Sequence, residues 1–306
     1  MPLSLRALAL VGLALAAACR PAAPHPEPAT PAALAQSLLA ADRAFAREAQ
    51  ARTLPLALRV MFTSDVRMPA PRGEILVGSA KVEAAIAATP DSTARASWTP
   101  IRVGLSADGL QGFTVGFLTT TRPDGSRAQF KYLAYWVRLG VSEGGSAWRV
   151  TAWRRRPMEL VPIDSAPLPP LLPTRMVART TDERILAAQL AELRAAEGEF
   201  SALANRIGVG AAFAQRGTDA SINVGPPSDG RFTVGAEAIA RAVSGGQPLD
   251  APSTITWGAD TAIVASRGDL GITFGVIRPK NDARAPGSSF FTIWRKSNGV
   301  WRYVAE

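Results

Sequence analysis

The chain has 306 residues, 47% of them hydrophobic, and carries a net charge of +9 from 34 Lys and Arg against 25 Asp and Glu. That length allows two domains of roughly 100–200 residues with ample apolar side chains for their cores, while a single cysteine excludes any intramolecular disulfide. The arginines are spread along both halves, with Arg154-Arg155-Arg156 as a tight cluster, so the charge describes a generally basic chain rather than a nucleic-acid-binding face.

Residues 1–18 read as a secretory signal peptide. Arg6 precedes an apolar run from Ala7 to Leu15, and the small residues Ala16 to Ala18 follow. The run is too short for a stable span, which needs about 20 residues. Cys19 resembles the acylated cysteine of a bacterial lipobox, although Ala16 stands where that motif usually has leucine. The resemblance implies cleavage before Cys19 and lipidation of its thiol. Arg20, in place of the aspartate of an inner-membrane retention signal, leans towards the outer membrane. Residues 19–30 are then the anchor cysteine and a Pro-rich tether, which is stiff and solvated. His25, the one histidine, lies in that tether and is incidental. The expected place is the cell envelope or periplasm, with the membrane reached through a lipid at Cys19.

The remainder predicts two units, 31–160 and 181–306, joined by a linker over 161–180 that contains Pro162, Pro167, Pro169, Pro170 and Pro173. Each unit begins with a long amphipathic helix, over 31–52 and 181–206. In the second, Ile185, Leu186, Leu190, Leu193, Ala196-Glu197 and Phe200 keep the spacing of one helical face. A short helix follows in each, near 56–62 and 210–215, and a third starts after Gly78 and Gly235. Four strand-like runs rich in β-branched and aromatic residues close the first unit, near 96–106, 111–121, 127–139 and 147–156. Helices first and an antiparallel meander afterwards make the class α+β.

The two units are copies, with matched anchors about 155 residues apart. Ala44-Phe45 matches Glu199-Phe200, Ser64-Asp65-Val66 matches Thr218-Asp219-Ala220, and Val77-Gly78-Ser79-Ala80 matches Val234-Gly235-Ala236-Glu237. Trp98 matches Trp257, and Gly112 to Gly116 matches Gly271 to Gly275. Tyr132 to Trp136 matches Phe290 to Trp294, and Trp148-Arg149-Val150 matches Trp301-Arg302-Tyr303.

On these residues each copy resembles the nuclear transport factor 2-like superfamily, in particular its SnoaL-like, polyketide-cyclase-type branch. The resemblance covers most of 31–156 and 181–306. It implies a curved sheet wrapped on a long helix, enclosing a cone-shaped pocket. It also implies pairing through the outer face of the sheet, either between the two copies or between two chains. Tyr132, Ala134 and Trp136 share one face of their strand while Leu133, Tyr135 and Val137 share the other. Both faces are apolar, so both are expected to be covered.

The resemblance says little about chemistry, because one fold hosts many functions. Dehydratase-type members use histidine with aspartate, and no histidine lies within either copy. The isomerase type needs tyrosine beside an acid, and the long helices carry no tyrosine. The four strand-like runs of the first copy carry no acids, nor do 271–278 and 287–305 of the second. Asp65 and Asp219, with Glu74, remain as weak catalytic candidates, and an aspartate between helix and strand more often caps backbone amides. Trp98, Tyr132 and Trp136, with Trp257, Phe290 and Trp294 in the second copy, are the expected ligand-binding residues if the cones are open. Core packing is the competing reading for all six. Metal ligands, cofactor motifs and a phosphate-cradling loop are not seen. The sequence therefore favours a non-catalytic envelope protein that holds a small apolar ligand or a protein partner. The alternatives are an isomerase or cyclase using a pocket aspartate, and a purely structural tandem.

Overall fold

The computed structural model describes residues 30–140, 147–282 and 284–306. The signal segment, Cys19 and His25 lie outside the described residues. Among those described, no helix is long and apolar enough to cross a membrane.

The first copy opens with α1 (Pro31–Ala49), started by Thr30, whose hydroxyl accepts from the Ala33 N–H at 3.1 Å, and by Pro31 in the first turn. Leu34, Leu38, Asp42, Ala46 and Ala49 form its buried stripe at three- and four-residue intervals. Then come α2 (Leu54–Met61), β1 (Phe62–Pro69), β2 (Ile75–Val77) and α3 (Ser79–Ala87). The meander is β3 (Arg95–Leu105), β4 (Gln111–Thr121), β5 (Arg127–Leu139) and β6 (Ala147–Met158). The second copy repeats this as α4 (Glu183–Ile207), α5 (Val209–Arg216), β7 (Ile222–Asn223), β8 (Thr233–Val234) and α6 (Ala236–Val243). A short β9 (Ile255–Thr256) precedes β10 (Ala259–Val264), β11 (Leu270–Pro279), β12 (Ser288–Ser297) and β13 (Val300–Ala305).

The two sheets have one topology. The order β2-β1-β6-β5-β4-β3 in the first is β8-β7-β13-β12-β11-β10 in the second, and in both the last strand of the copy runs parallel to the first. Even the irregularities repeat. A bulge interrupts the pairing between Tyr135 and Trp136 against β6, and another does so between Ile293 and Trp294 against β13. Gly78 (φ 106°) and Gly235 (φ 91°) enter the third helix of each copy in a region side chains rarely adopt, which explains the shared Val-Gly pair.

Each sheet has a helix on one face. Trp98, Tyr132, Ala134, Trp136 and Trp153 pack with α1 and α2 in the core of the first copy. Trp294, Trp301 and Tyr303 pack with α4, α5 and α6 in the second. The opposite faces meet each other. Phe113, Val115, Leu133 and Tyr135 form one buried cluster with Ile272, Phe274, Phe291 and Ile293. Hairpin turns clasp at one end of this contact, where the Ala107 N–H donates to Asp269 at 2.7 Å and the Ser266 N–H to Asp108 at 2.9 Å.

The proline-rich segment is more than a connector. It lies along the outer edge of β3, where Leu168 N–H donates to Ile101 O (2.7 Å), Leu171 N–H to Val103 O (2.9 Å), and Leu105 N–H to Leu171 O (3.0 Å). Pro167, Pro169 and Pro170 have no N–H to offer, so the ladder uses Leu168 and Leu171 beside them, and a free sheet edge is covered.

Candidate functional site

The two catalytic candidates read from the sequence fall outside the cones. Asp65 lies on β1 with its side chain 64% exposed, 3.8 Å from Arg67, and Asp219 is exposed in the turn after α5. Nor are they equivalent. Gly78 N–H donates to Val66 O, and its counterpart Gly235 donates to Ser221 O, so Val66 aligns with Ser221 and Asp65 with Ala220. The sequence match was one residue out because Thr218-Asp219 mimics Ser64-Asp65 in composition. Neither aspartate can work on a molecule held between helix and sheet. Glu74 is likewise not buried.

The carboxylates inside the cones come instead from the long helices. Asp42 on α1 and Glu197 on α4 are both fully buried. They hold the same place in the repeat, because Phe45 and Phe200 follow each at the same distance. Asp42 accepts from the Trp98 indole N–H (2.6 Å) on one oxygen and from the Tyr132 hydroxyl (2.8 Å) on the other. Glu197 accepts from the Trp257 indole (2.7 Å) on one oxygen, and from Thr273 (2.5 Å) and the Trp294 indole (3.1 Å) on the other. Trp136 donates to Thr114 at 2.9 Å, as Trp294 does to Thr273. Burial holds the Asp42 carboxyl above its ordinary range and pushes Glu197 up to about 7, against the opposing pull of their hydrogen bonds. The Tyr132 hydroxyl is raised well above its usual value by burial and by Asp42 beside it.

A signal for these acids was present. Asp42 sits four residues after Leu38 and four before Ala46 on the apolar stripe, and Glu197 sits four after Leu193. That signal is an ionisable residue in the middle of a buried helical stripe; its donors face it from the strands, save Trp257, which lies between β9 and β10.

The six aromatic candidates divide between two different cones. Trp98, Tyr132 and Trp136 surround Asp42 in a space too small for a single water molecule. They are core. In the second copy a cavity of about 200 Å³ remains, lined by Glu197, Phe200, Phe213, Trp257 and Phe290. Trp294 lies behind this wall and is fully buried, holding Glu197. Phe200 stands at the centre, with ring centroids 4.9 Å from Phe213, 5.2 Å from Trp257 and 5.9 Å from Tyr303.

Paired positions explain the difference. Ala134 pairs with Trp153, and at the corresponding step past the bulge the strand after Trp301 reaches Glu306. The Trp153 indole is 2% exposed and plugs the first cone, whereas Glu306 is a smaller side chain at the wall of the second. Glu306 accepts from the Asn223 side chain at 2.9 Å, and burial pushes it up to about 7 as well. At the cavity mouth stand Arg154 and Arg156, which belong to β6 of the first copy.

The shared sheet order, the long helix across the concave face and the cone between them make each copy a cone-shaped α+β domain, the architecture that its sequence resemblance implies. The chain is two such domains in tandem, and its solved neighbours each match about two-fifths of it. A ketosteroid isomerase-like protein of Erwinia carotovora atroseptica is 15% identical, with 42% of this chain and 95% of that one covered and a TM-score of 0.31. An NTF2-like protein of Cytophaga hutchinsonii is 15% identical over 40% of this chain and 97% of its own, with a TM-score of 0.30. A Mycobacterium tuberculosis protein solved with estradiol-17β-hemisuccinate is 16% identical over 38% and 90%, with a TM-score of 0.29. No family model and no curated protein matches the chain.

Proposed function

We propose that this is an exported, lipid-anchored protein of the cell envelope that holds a small, mainly apolar molecule in its second cone without transforming it. The observation that carries the reading is the cavity itself: an aromatic chamber of about 200 Å³ with Glu197 as a polar group at its wall. The signal-like segment, Cys19 and the tether support a location at a membrane surface, and the first copy serves as a filled scaffold behind the second.

Comparison of the copies argues against catalysis. The carboxyl, indole and threonine arrangement around Glu197 recurs around Asp42, where no substrate fits. A device found in a closed core is a device for satisfying buried polar groups. One observation favours a second reading, proton transfer by Glu197, because a carboxyl raised to about 7 inside a cavity is poised for acid–base work.

Native mass spectrometry of the chain from Pro31 to Glu306, purified without detergent, tests the binding reading. A small apolar molecule released on unfolding is expected. A uniformly empty protein that also takes up no aromatic probe counts against it. Loss of that retained mass in Phe290→Trp, with none in Trp98→Phe, would place the ligand in the second cone.

A further inference from the structure

The basic cluster at Arg154 has a use that apolar binding alone does not require. Side chains alternate along β6, so Trp153 and Arg155 face the first cone while Ala152, Arg154 and Arg156 face the second copy. Arg155 is accounted for: it meets Asp91 at 2.7 Å, together with Arg122 at 3.0 Å. The other buried cations between the copies each have a carbonyl acceptor. Arg102 donates to Ala220 O at 2.5 Å, and Lys131 donates to the carbonyls of Gly225 (3.2 Å) and Pro227. Arg154 differs. It is 9% exposed, it lies over the Phe291 ring at 5.6 Å, and among the described residues its guanidinium makes no hydrogen bond or ion pair. Burial lowers its pKa to about 10, with Arg156 adding to the shift and Glu306 opposing it.

The Arg154 donors are not among the walled-off, unpartnered atoms of the described residues; they open onto the cavity, where a bound acceptor can take them up. Arg154, Arg156, Ser288 and Ser289 line the second cone's cavity and also the groove of about 490 Å³ that adjoins it, whose wall also includes Arg72 and the Asp91-paired Arg155. The chamber is thus apolar inside and strongly basic at its outlet. Glu306, at the same wall, is the carboxylate that offsets this charge.

We propose that the second cone is a composite site, in which Arg154 from the first copy grips the anionic head of a molecule whose apolar body fills the second copy. The head is a carboxylate, sulfonate or phosphate, groups whose oxygens match the guanidinium fork. This rests on the reading of the second cone as a binding cavity.

Two probes of nearly equal shape separate the two ideas: 4-phenylbutyrate and 4-phenylbutanol, titrated calorimetrically into the protein at neutral pH. The acid is expected to bind at least about tenfold more tightly than the alcohol, as a charge-assisted hydrogen bond supplies. Arg154→Met is expected to remove that preference while leaving the alcohol's affinity within about twofold, and Arg154→Lys to retain part of it. Alcohol binding with no preference for the acid overturns the role of Arg154 and leaves the apolar cavity standing. Preference persisting in Arg154→Met overturns it as well. Binding of neither probe overturns both readings. Should Arg154→Met fail to fold, Glu306→Gln decides: removing the carboxylate tightens the acid several-fold relative to the alcohol, and an equal effect on both probes overturns the role of Arg154.

Discussion

Trp153 and Glu306 occupy equivalent places in two copies of one sheet, and the larger side chain lies in the filled cone while the smaller stands at the wall of the open one. Trp153→Ala is expected to cost about 3–5 kcal/mol, the usual consequence of deleting a buried aromatic side chain. It should also open a chamber beside Asp42 that admits an apolar probe. Chemical denaturation, together with a probe titration, checks both effects, and a variant as stable as the parent would mean that the first cone collapses freely. Glu197 sets a pH dependence. Its folded pKa of about 7 lies above the ordinary 4.5, so the folded state holds a proton that the unfolded chain has released between those values. The stability this lends is complete below pH 4.5 and is lost as pH rises towards 7, about 3 kcal/mol in all. Glu306 runs in the same direction. Glu197→Gln is therefore expected to flatten the melting temperature across pH 5 to 7 relative to the parent, and an unchanged profile would assign the dependence elsewhere.

Among the elements, the segment 161–180 shows how local composition and tertiary role diverge. Its prolines exclude a helix, and from sequence that reads as a linker. The same prolines suit a sheet edge, because the stretch 167–171, with N–H groups only at Leu168 and Leu171, pairs on one side and offers no further donor on the other. Leu171→Pro removes a donor that holds Val103 O at 2.9 Å and is expected to cost about 1–3 kcal/mol. Limited proteolysis should then cut within 161–180 faster than in the parent, and equal cutting rates would show that the segment is not docked. The long helices diverge differently. Their spacing was plain, yet the acid in each stripe passes for a surface residue until the facing indoles and hydroxyls are seen.

At the scale of the whole molecule, the two sheets cover each other's apolar faces. The second copy alone, from Thr181 to Glu306, would expose Ile272, Phe274, Phe291 and Ile293. It is expected to self-associate, whereas the full pair of copies stays dispersed. Size-exclusion chromatography with light scattering distinguishes these outcomes, and a well-behaved monomeric second copy would show that the contact is dispensable. The arrangement also divides labour: the first copy has a closed core and lends its outward strand, with Arg154, to the mouth of the second.

Much of this architecture was legible along the chain. Hydrophobic period, glycine and proline placement and the recurrence of seven anchors are local properties, and they were enough for two α+β copies with a long helix before an antiparallel meander. The open cone, its carboxyl and its arginine were not legible in the same way. Whether a tryptophan plugs a chamber depends on which strand position meets which across a bulge. Whether an arginine lacks a partner depends on a surface brought up from the other copy. Whether a glutamate titrates near neutrality depends on water being excluded around it. Each is a property of side chains distant in sequence and adjacent in space, and packing alone decides it.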